Sequence, residues 1–146
     1  MSLLSVPLRV LLGALGLAAS VLPRPVELRL GRLLGRLVLS LRLFKRRIAE
    51  ENIARALPEL DEARRLALLR ANYEHYGILF FEFLHFFSPL PGHYASYARR
   101  VSRLENRKTW EKARSKGKGV LFFSSHLGFW EMSAAAAGLS GIGPTI

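Results

Sequence analysis

A glycine-bounded apolar run that leads into a histidine and a carboxylate is the feature that most constrains the fold of this chain. Residues 117–131 read GKGVLFFSSHLGFWE. Gly117 and Gly119 are typical of a turn, and residues 120–124 then predict a short buried strand. The alanine-rich run 134–137, closed by Gly138, favours a helix directly afterwards. A strand-to-helix junction of this kind is where α/β sheets build their sites, so the segment predicts an α/β fold.

The predicted architecture is a set of membrane-associated helices followed by the start of a helix-flanked mixed β-sheet. We divide the chain into a hydrophobic anchor at 1–23, a helical membrane-proximal region at 24–98 and the first part of a catalytic α/β domain at 99–146. One strand needs several partners to bury both of its faces, and the chain offers no obvious ones. We therefore expect the sequence to be the N-terminal half of a longer protein.

His126 and Glu131 are the candidates for a general base and the carboxylate that orients it. On a regular helix an offset of five residues places two side chains about 140° apart. The pair therefore requires His126 to lie in the turn before the helix, and Gly128 eases the backbone bend that this needs. The alternative is a histidine satisfied by a backbone carbonyl, with Glu131 an ordinary residue of the first helical turn.

The N-terminal segment is almost free of charge, since residues 2–23 carry only Arg9. This composition favours a membrane anchor, either spanning or lying in the interface. A signal peptide ending near Ala18, Ala19 and Ser20 and a buried core helix are the alternatives. Because the basic residues follow this segment, the positive-inside rule places the body of the protein in the cytoplasm.

Leucines and arginines alternate at helical spacing over residues 27–47, after Pro23 and Pro25. Arg29, Arg32 and Arg36 fall on one helical face, which predicts an interfacial helix directed at anionic headgroups. The alternative is a solvated basic face on a helix packed against the protein's own core.

Residues 48–57 predict a short helix stopped by Pro58, and Asp61 is a candidate cap for the next one. That next helix carries apolar residues at steps of three and four, which predict a largely buried stripe: Leu66, Leu69, Tyr73, Tyr76, Phe80, Phe83 and Phe87.

Charge restricts the possible partners without choosing among them. Lysine and arginine number 22 against 11 acidic residues, a formal net charge of +11, which indicates an anionic partner. A nucleic acid is disfavoured because the basic region 99–118 has a single aromatic residue, Trp110, rather than the interleaved aromatics of a stacking platform, and because half of the chain is hydrophobic. The absence of cysteine excludes disulfides and thiolate catalysis.

A second group of potential ligands, His75, Glu82 and His85, shares one face of the predicted aromatic helix. Carboxylate di-metal bundles use two Glu-x-x-His copies with further glutamates, and this chain has one copy. We therefore predict no metal site and no cofactor. Glu82 is expected to be a buried, hydrogen-bonded carboxylate, because a charged group inside an aromatic helix needs partners.

Several of these segments together resemble the lauroyl/myristoyl acyltransferase family of lipid A biosynthesis. The similarity lies in 126–131 (HLGFWE), in 47–53 (RIAEENI) with 58–60 (PEL), and in 117–121 (GKGVL). It implies a lysophospholipid-acyltransferase-like fold at the cytoplasmic side of the bacterial inner membrane. It also implies acyl transfer from an acyl carrier protein thioester to a hydroxyl of an anionic glycolipid such as a lipid A precursor.

The resemblance also implies roles for individual residues. His126 is carried over as general base and Glu131 as its orienting partner, with Ser125, Gly128, Phe129 and Trp130 in contact with substrate. Phe129 stands where the family commonly has asparagine, so the acceptor pocket is expected to differ. Two other functions stay open: a lipid or thioester hydrolase that uses the same pair, and a non-catalytic basic module at the membrane surface.

Overall fold

Every regular element in the described part of the chain is helical. The computed structural model describes residues 5–125 and 128–142. The chain divides into two units, Met1–Pro89 and Leu90–Ile146. The first unit holds α1 (Ser5–Val21), α2 (Arg24–Ser40), α3 (Arg46–Ala56), α4 (Glu62–Leu84) and a 3-10 turn, His85–Phe87. The second holds α5 (His93–Val101), α6 (Arg107–Arg114) and α7 (Trp130–Leu139).

The predicted α/β fold is wrong for the residues that the structure describes. Residues 120–124, predicted as a buried strand, are irregular and exposed, with Phe123 92% accessible. A strand is stable only when its N–H and C=O groups pair with a neighbouring strand. No described segment pairs with these residues, so the apolar run lacks the sheet that would bury it. The helix predicted after the junction is present as α7, and it ends at Leu139 rather than at Gly138.

The two prolines mark the break between α1, which ends at Val21, and α2, which begins at Arg24. Pro23 precedes α2 and Pro25 lies in its first turn, where a missing N–H costs no intrahelical hydrogen bond. The helix predicted over 27–47 is two helices, because α2 ends at Ser40 and α3 begins at Arg46. Between them Arg42, Phe44 and Lys45 all have positive φ.

Helices α2 and α4 contact each other through glycines, and this contact organises the first unit. Gly31 and Gly35 of α2 face Gly77 of α4, and a Cβ on Gly31 would lie 2.7 Å from the Cα of Ile78. A Cβ on Gly35 would overlap the carbonyl oxygen of Tyr73. Small residues at a four-residue spacing let two helix backbones approach closely, as in membrane helix pairs. Two leucines of α2, Leu33 and Leu37, lie away from this contact and are more than half exposed.

Helix α4 begins where the sequence predicts. Asp61 accepts a hydrogen bond from the backbone N–H of Arg64 at 2.8 Å, which confirms it as the N-cap. The apolar stripe of this helix is only partly core. Leu69 and Tyr73 are buried, whereas Leu66, Tyr76, Phe80 and Phe83 are exposed.

Helix α1 is held against the 3-10 turn at its C-terminal half. A Cβ on Gly16 would lie 2.6 Å from the carbonyl carbon of Phe87, and Ser20 Oγ donates to Ser88 Oγ at 2.7 Å. Most other side chains of α1 are apolar and exposed, among them Val6, Leu8, Val10, Leu11, Leu15, Leu17 and Val21.

Within residues 5–125 and 128–142, no helix combines the length and the apolar composition needed to cross a bilayer.

The second unit has a small core formed by α5 and α7. Tyr97 and Ala98 of α5 are buried, as are Met132 of α7 and Ile142 after it. Helix α7 is closed by hydrogen bonds from Gly141 N–H to Gly138 O and from Ile142 N–H to Ala137 O. Gly141 has φ 79°, the left-handed conformation that this type of helix ending requires.

Candidate active site

The predicted site falls on a short loop and the first turn of α7. His126 and Leu127 lie outside the described residues, so the predicted pairing of His126 with Glu131 stays a prediction. Ser125 is the last described residue before the gap and is exposed. Gly128 follows the gap with φ 65°, a left-handed conformation that favours glycine. The backbone bend expected at Gly128 is therefore present.

Glu131 lies in the first turn of α7, with Trp130 as the first helical residue. Its neighbour Met132 is buried in the core of the second unit, and Glu131 itself is half-buried. The packing of Met132 fixes the rotation of α7 about its axis and thereby the direction of Glu131. The amino end of a helix favours negative charge, so this position suits a carboxylate.

Phe129 is the N-cap of α7 and supplies no side-chain hydrogen bond to the helix. Asparagine at this place would accept from an N–H of the first turn, which an aromatic side chain cannot do. Phe129 is half-buried and Trp130 is 40% exposed. The loop therefore presents an aromatic pair, rather than a polar cap, at the start of the helix.

The amino end of α5 holds two titratable rings in the same unit. Burial, as the larger cause, and the positive charge of Arg100, as the smaller one, lower the pKa of His93 below its ordinary value. Burial raises the pKa of Tyr94. The ring of His93 stacks on Tyr97 at a centroid distance of 6.0 Å, and the Arg100 guanidinium lies 5.5 Å from the Tyr97 ring centre. A neutral histidine is therefore favoured at this position.

A buried charged cluster in the first unit was not predicted as a whole. His85 Nε2 lies 2.8 Å from Glu27 Oε1, and Arg24 Nη1 lies 3.8 Å from Glu27 Oε2. Arg24 also forms a close ion pair with Glu82. Glu27, Glu82 and His85 are each less than 10% exposed. Arg24 thus joins the start of α2 to the end of α4, and Glu27 joins it to the 3-10 turn.

The prediction that Glu82 is a buried, hydrogen-bonded carboxylate agrees with this cluster. Glu27 was missed, although a lone carboxylate in a leucine-rich helix beside an arginine was an available signal. His75 lies outside the cluster and makes an edge contact with Tyr76. No group of three or more metal-ligating side chains suited to a metal ion occurs in the described ranges.

Comparison with known protein families gives a match over most of the chain. The family model of the bacterial lipid A biosynthesis acyltransferases matches residues 3–143, which is nearly the whole chain. No curated protein and no solved structure matches the chain.

Proposed function

The chain belongs to the bacterial lipid A biosynthesis acyltransferase family, and on that premise we propose how and on what it acts. Membership makes it an acyltransferase of lipid A biosynthesis. We propose that it moves a fatty acyl group from an acyl carrier protein thioester to a hydroxyl of an anionic glycolipid, with His126 as general base and Glu131 as its partner. The family match over residues 3–143 is the observation that carries this proposal.

The chemistry requires a base because a lipid hydroxyl is a poor nucleophile at neutral pH. His126 takes the hydroxyl proton as the oxygen attacks the thioester carbonyl carbon. The new C–O bond forms, the tetrahedral intermediate collapses, and the C–S bond breaks. The imidazolium then returns the proton to the departing thiolate, so no covalent acyl-enzyme is needed.

Glu131 acts on His126 in this scheme, as carboxylates do in hydrolase triads. It holds the imidazole in the tautomer that can accept a proton and stabilises the imidazolium that forms. Its place in the first turn of α7, next to the buried Met132, supports this role because the position is set by packing. Backbone N–H groups at the start of α7 are suited to stabilise the developing oxyanion.

Ser125, Gly128, Phe129 and Trp130 are proposed to contact substrate. Trp130 and Ser125 have solvent-accessible side chains, and Phe129 adds apolar surface beside them. An aromatic pair suits the hydrocarbon part of a substrate better than its sugar hydroxyls. The loop therefore favours contact with acyl chains.

Attachment at the cytoplasmic face of the inner membrane is proposed from the surface of the first unit. The exposed apolar side chains of α1 are suited to a helix that lies in the membrane interface. On α2, the exposed Leu30, Leu33 and Leu37 are interleaved with the exposed Arg29 and Arg32. In this arrangement the leucine side chains would be buried at the headgroup boundary, and the arginine guanidinium groups would lie beside anionic lipid headgroups.

The basic residues of the second unit are proposed to meet the acidic carrier protein. Helix α6 and its flanks carry Arg103, Lys108, Lys112, Lys116 and Lys118. Arg107 and Arg114 lie over the Trp110 ring at 6.0 and 5.2 Å, which orders two guanidinium groups on one helix. Charge complementarity of this kind raises the rate of association.

The test is to identify the product. The protein in detergent is supplied with acyl carrier protein bearing a radiolabelled acyl thioester and with total lipid from a Gram-negative host. Label in a glycolipid supports the proposal and identifies the acceptor. Label released as free fatty acid would instead establish the hydrolase, and no consumption of any thioester donor would leave the non-catalytic membrane module.

A further inference from the structure

An apolar cavity of about 680 Å³ lies between α2, α3 and α4 of the first unit. Its walls include Val38 from α2, Ile48 and Ala49 from α3, and Tyr76 and Phe80 from α4. Small-molecule sites commonly occupy about 300–1,000 Å³, so this volume suffices for a ligand. Tyr76 and Phe80 are 64% and 45% exposed, so the apolar walls of this cavity are in contact with water. Such a surface is favourable only when something apolar covers it.

The cavity carries positive charge at its edge. Lys45 lines it, whereas the next two residues, Arg46 and Arg47, pair with Glu50 and Glu51 one turn further along α3. No carboxylate in the described ranges forms an ion pair with Lys45. The amides of Asn52 and Asn72 lie in the same lining and offer further hydrogen-bond donors. An occupant with an apolar body and an anionic head therefore fits the cavity.

The linker that presents Lys45 is held in an unfavourable backbone conformation. Arg42, Phe44 and Lys45 have φ values of 56°, 51° and 56°, a region that side-chain-bearing residues rarely adopt. The Tyr73 hydroxyl contacts the carbonyl oxygens of Leu43 and Phe44 at 3.2 and 2.9 Å, which ties the linker to α4. Backbone strain of this kind is concentrated at ligand clamps and active sites. The result is that Phe44, 81% exposed, and Lys45 both border the cavity.

We propose that this cavity binds one hydrocarbon chain of an anionic membrane lipid, with the lipid headgroup beside Lys45. The chain covers apolar walls that otherwise contact water, and the removal of this wall surface from water favours binding. A single linear chain can lie in the open space between three helices, and the ammonium selects an anionic head over a neutral one. The inference goes beyond the acyl-transfer proposal and uses none of residues 125–131, so a catalytically inactive protein would still bind the lipid.

Photo-crosslinking tests the chain-binding part of this proposal. The protein is reconstituted in phosphatidylcholine vesicles containing a little phosphatidylglycerol with a diazirine at the end of one acyl chain. After illumination, the labelled residues are located by mass spectrometry. We expect label concentrated on the cavity walls, and at least a tenfold loss of that label in Ala49→Trp, which fills the cavity. Ala56→Trp, an exposed position on the same helix outside the cavity, is the matched control and keeps the label.

The headgroup part is tested by charge reversal. Lys45→Glu should abolish the preference for the phosphatidylglycerol probe over a phosphatidylcholine probe with the same diazirine chain. Arg55→Glu, an equal charge change at the other end of α3, should leave the preference intact. Circular dichroism checks folding, and Ile48→Trp replaces Ala49→Trp if the latter is unfolded. Three outcomes would each overturn the proposal. They are equal labelling of the wild type and the cavity-filled variants, label spread over α1 without enrichment at the cavity, and protein–protein crosslinks across the cavity.

Discussion

Nε2 of His85 lies 2.8 Å from Oε1 of Glu27, although the two residues are 58 positions apart in the sequence. Both side chains are almost fully buried, and Arg24 connects this pair to Glu82. Buried charges are tolerated only when each has partners, because desolvation costs several kcal/mol per ion. The cluster therefore makes the junction of α2 and α4 sensitive to the loss of any one member.

Replacing Glu27 should destabilise the protein strongly. Glu27→Ala removes the acceptor of His85 and one partner of Arg24, which should lower the free energy of unfolding by about 3–5 kcal/mol. Denaturant titration followed by circular dichroism measures this change. Glu59→Ala, an exposed glutamate before α4, is the control and should stay within about 0.5 kcal/mol of wild type. Equal stabilities of the two variants would show that the cluster contributes nothing.

The close approach of α2 and α4 can be tested with two glycines that share a helical conformation but not an environment. Gly35→Ala places a methyl group against the Tyr73 carbonyl and should cost about 1–3 kcal/mol. A Cβ on Gly13 of α1 would meet no atom within 4 Å, so Gly13→Ala should stabilise its helix by about 0.5–1 kcal/mol. Thermal unfolding of both variants measures these changes in stability. If Gly35→Ala stabilised the protein, the close contact between α2 and α4 would be contradicted.

An N-cap at Phe129 should stabilise α7. In Phe129→Asn the new side chain can accept from the N–H of Glu131 or Met132, which is worth about 0.5–2 kcal/mol to the helix. Amide hydrogen exchange of α7 measures its local opening free energy. Phe129→Ala removes the aromatic ring without adding an acceptor and should bring no such gain. Identical protection in both variants would mean that Phe129 is not the capping position.

Glu74 should make stability depend on pH in the acidic range. Its hydrogen bond with Arg36 at 2.6 Å, together with one from Arg70, lowers its pKa below the ordinary value of 4.5. The folded state therefore favours the ionised form, so this stabilisation is complete above pH 4.5 and is lost as pH falls through the folded-state pKa. NMR titration of Glu74 should show its pKa rising toward 4.5 in Arg36→Gln. No change on this substitution would refute the pairing.

The sequence predicts local structure well where the signal is local. The Asp61 cap, the helical spacing of α4 and the helix after residue 129 depend on neighbours within a few positions, and all three are present. The contact between Gly31, Gly35 and Gly77 was not predicted, because the prediction for α2 depended on the spacing of its arginines. The spacing of Gly31 and Gly35 was the available signal.

Features that depend on distant residues could not be predicted in the same way. Hydrophobicity marks residues 120–124 as a segment to be buried, but strand formation requires a partner that the described residues do not provide. Likewise, nothing in the local sequence pairs Glu27 with His85. At the candidate site, the left-handed Gly128 and the helical position of Glu131 were predictable from turn and helix signals.

The rate of acyl transfer in site variants tests the central claim most directly. With a matched carrier-bound donor and a lipid A precursor, His126→Ala should lower kcat/KM by about 10²–10⁴-fold, the usual contribution of a general base. Glu131→Gln should also lower it, whereas Glu59→Gln, at an exposed glutamate of the first unit, should not. Transfer at the wild-type rate by both His126→Ala and Glu131→Gln would contradict the account.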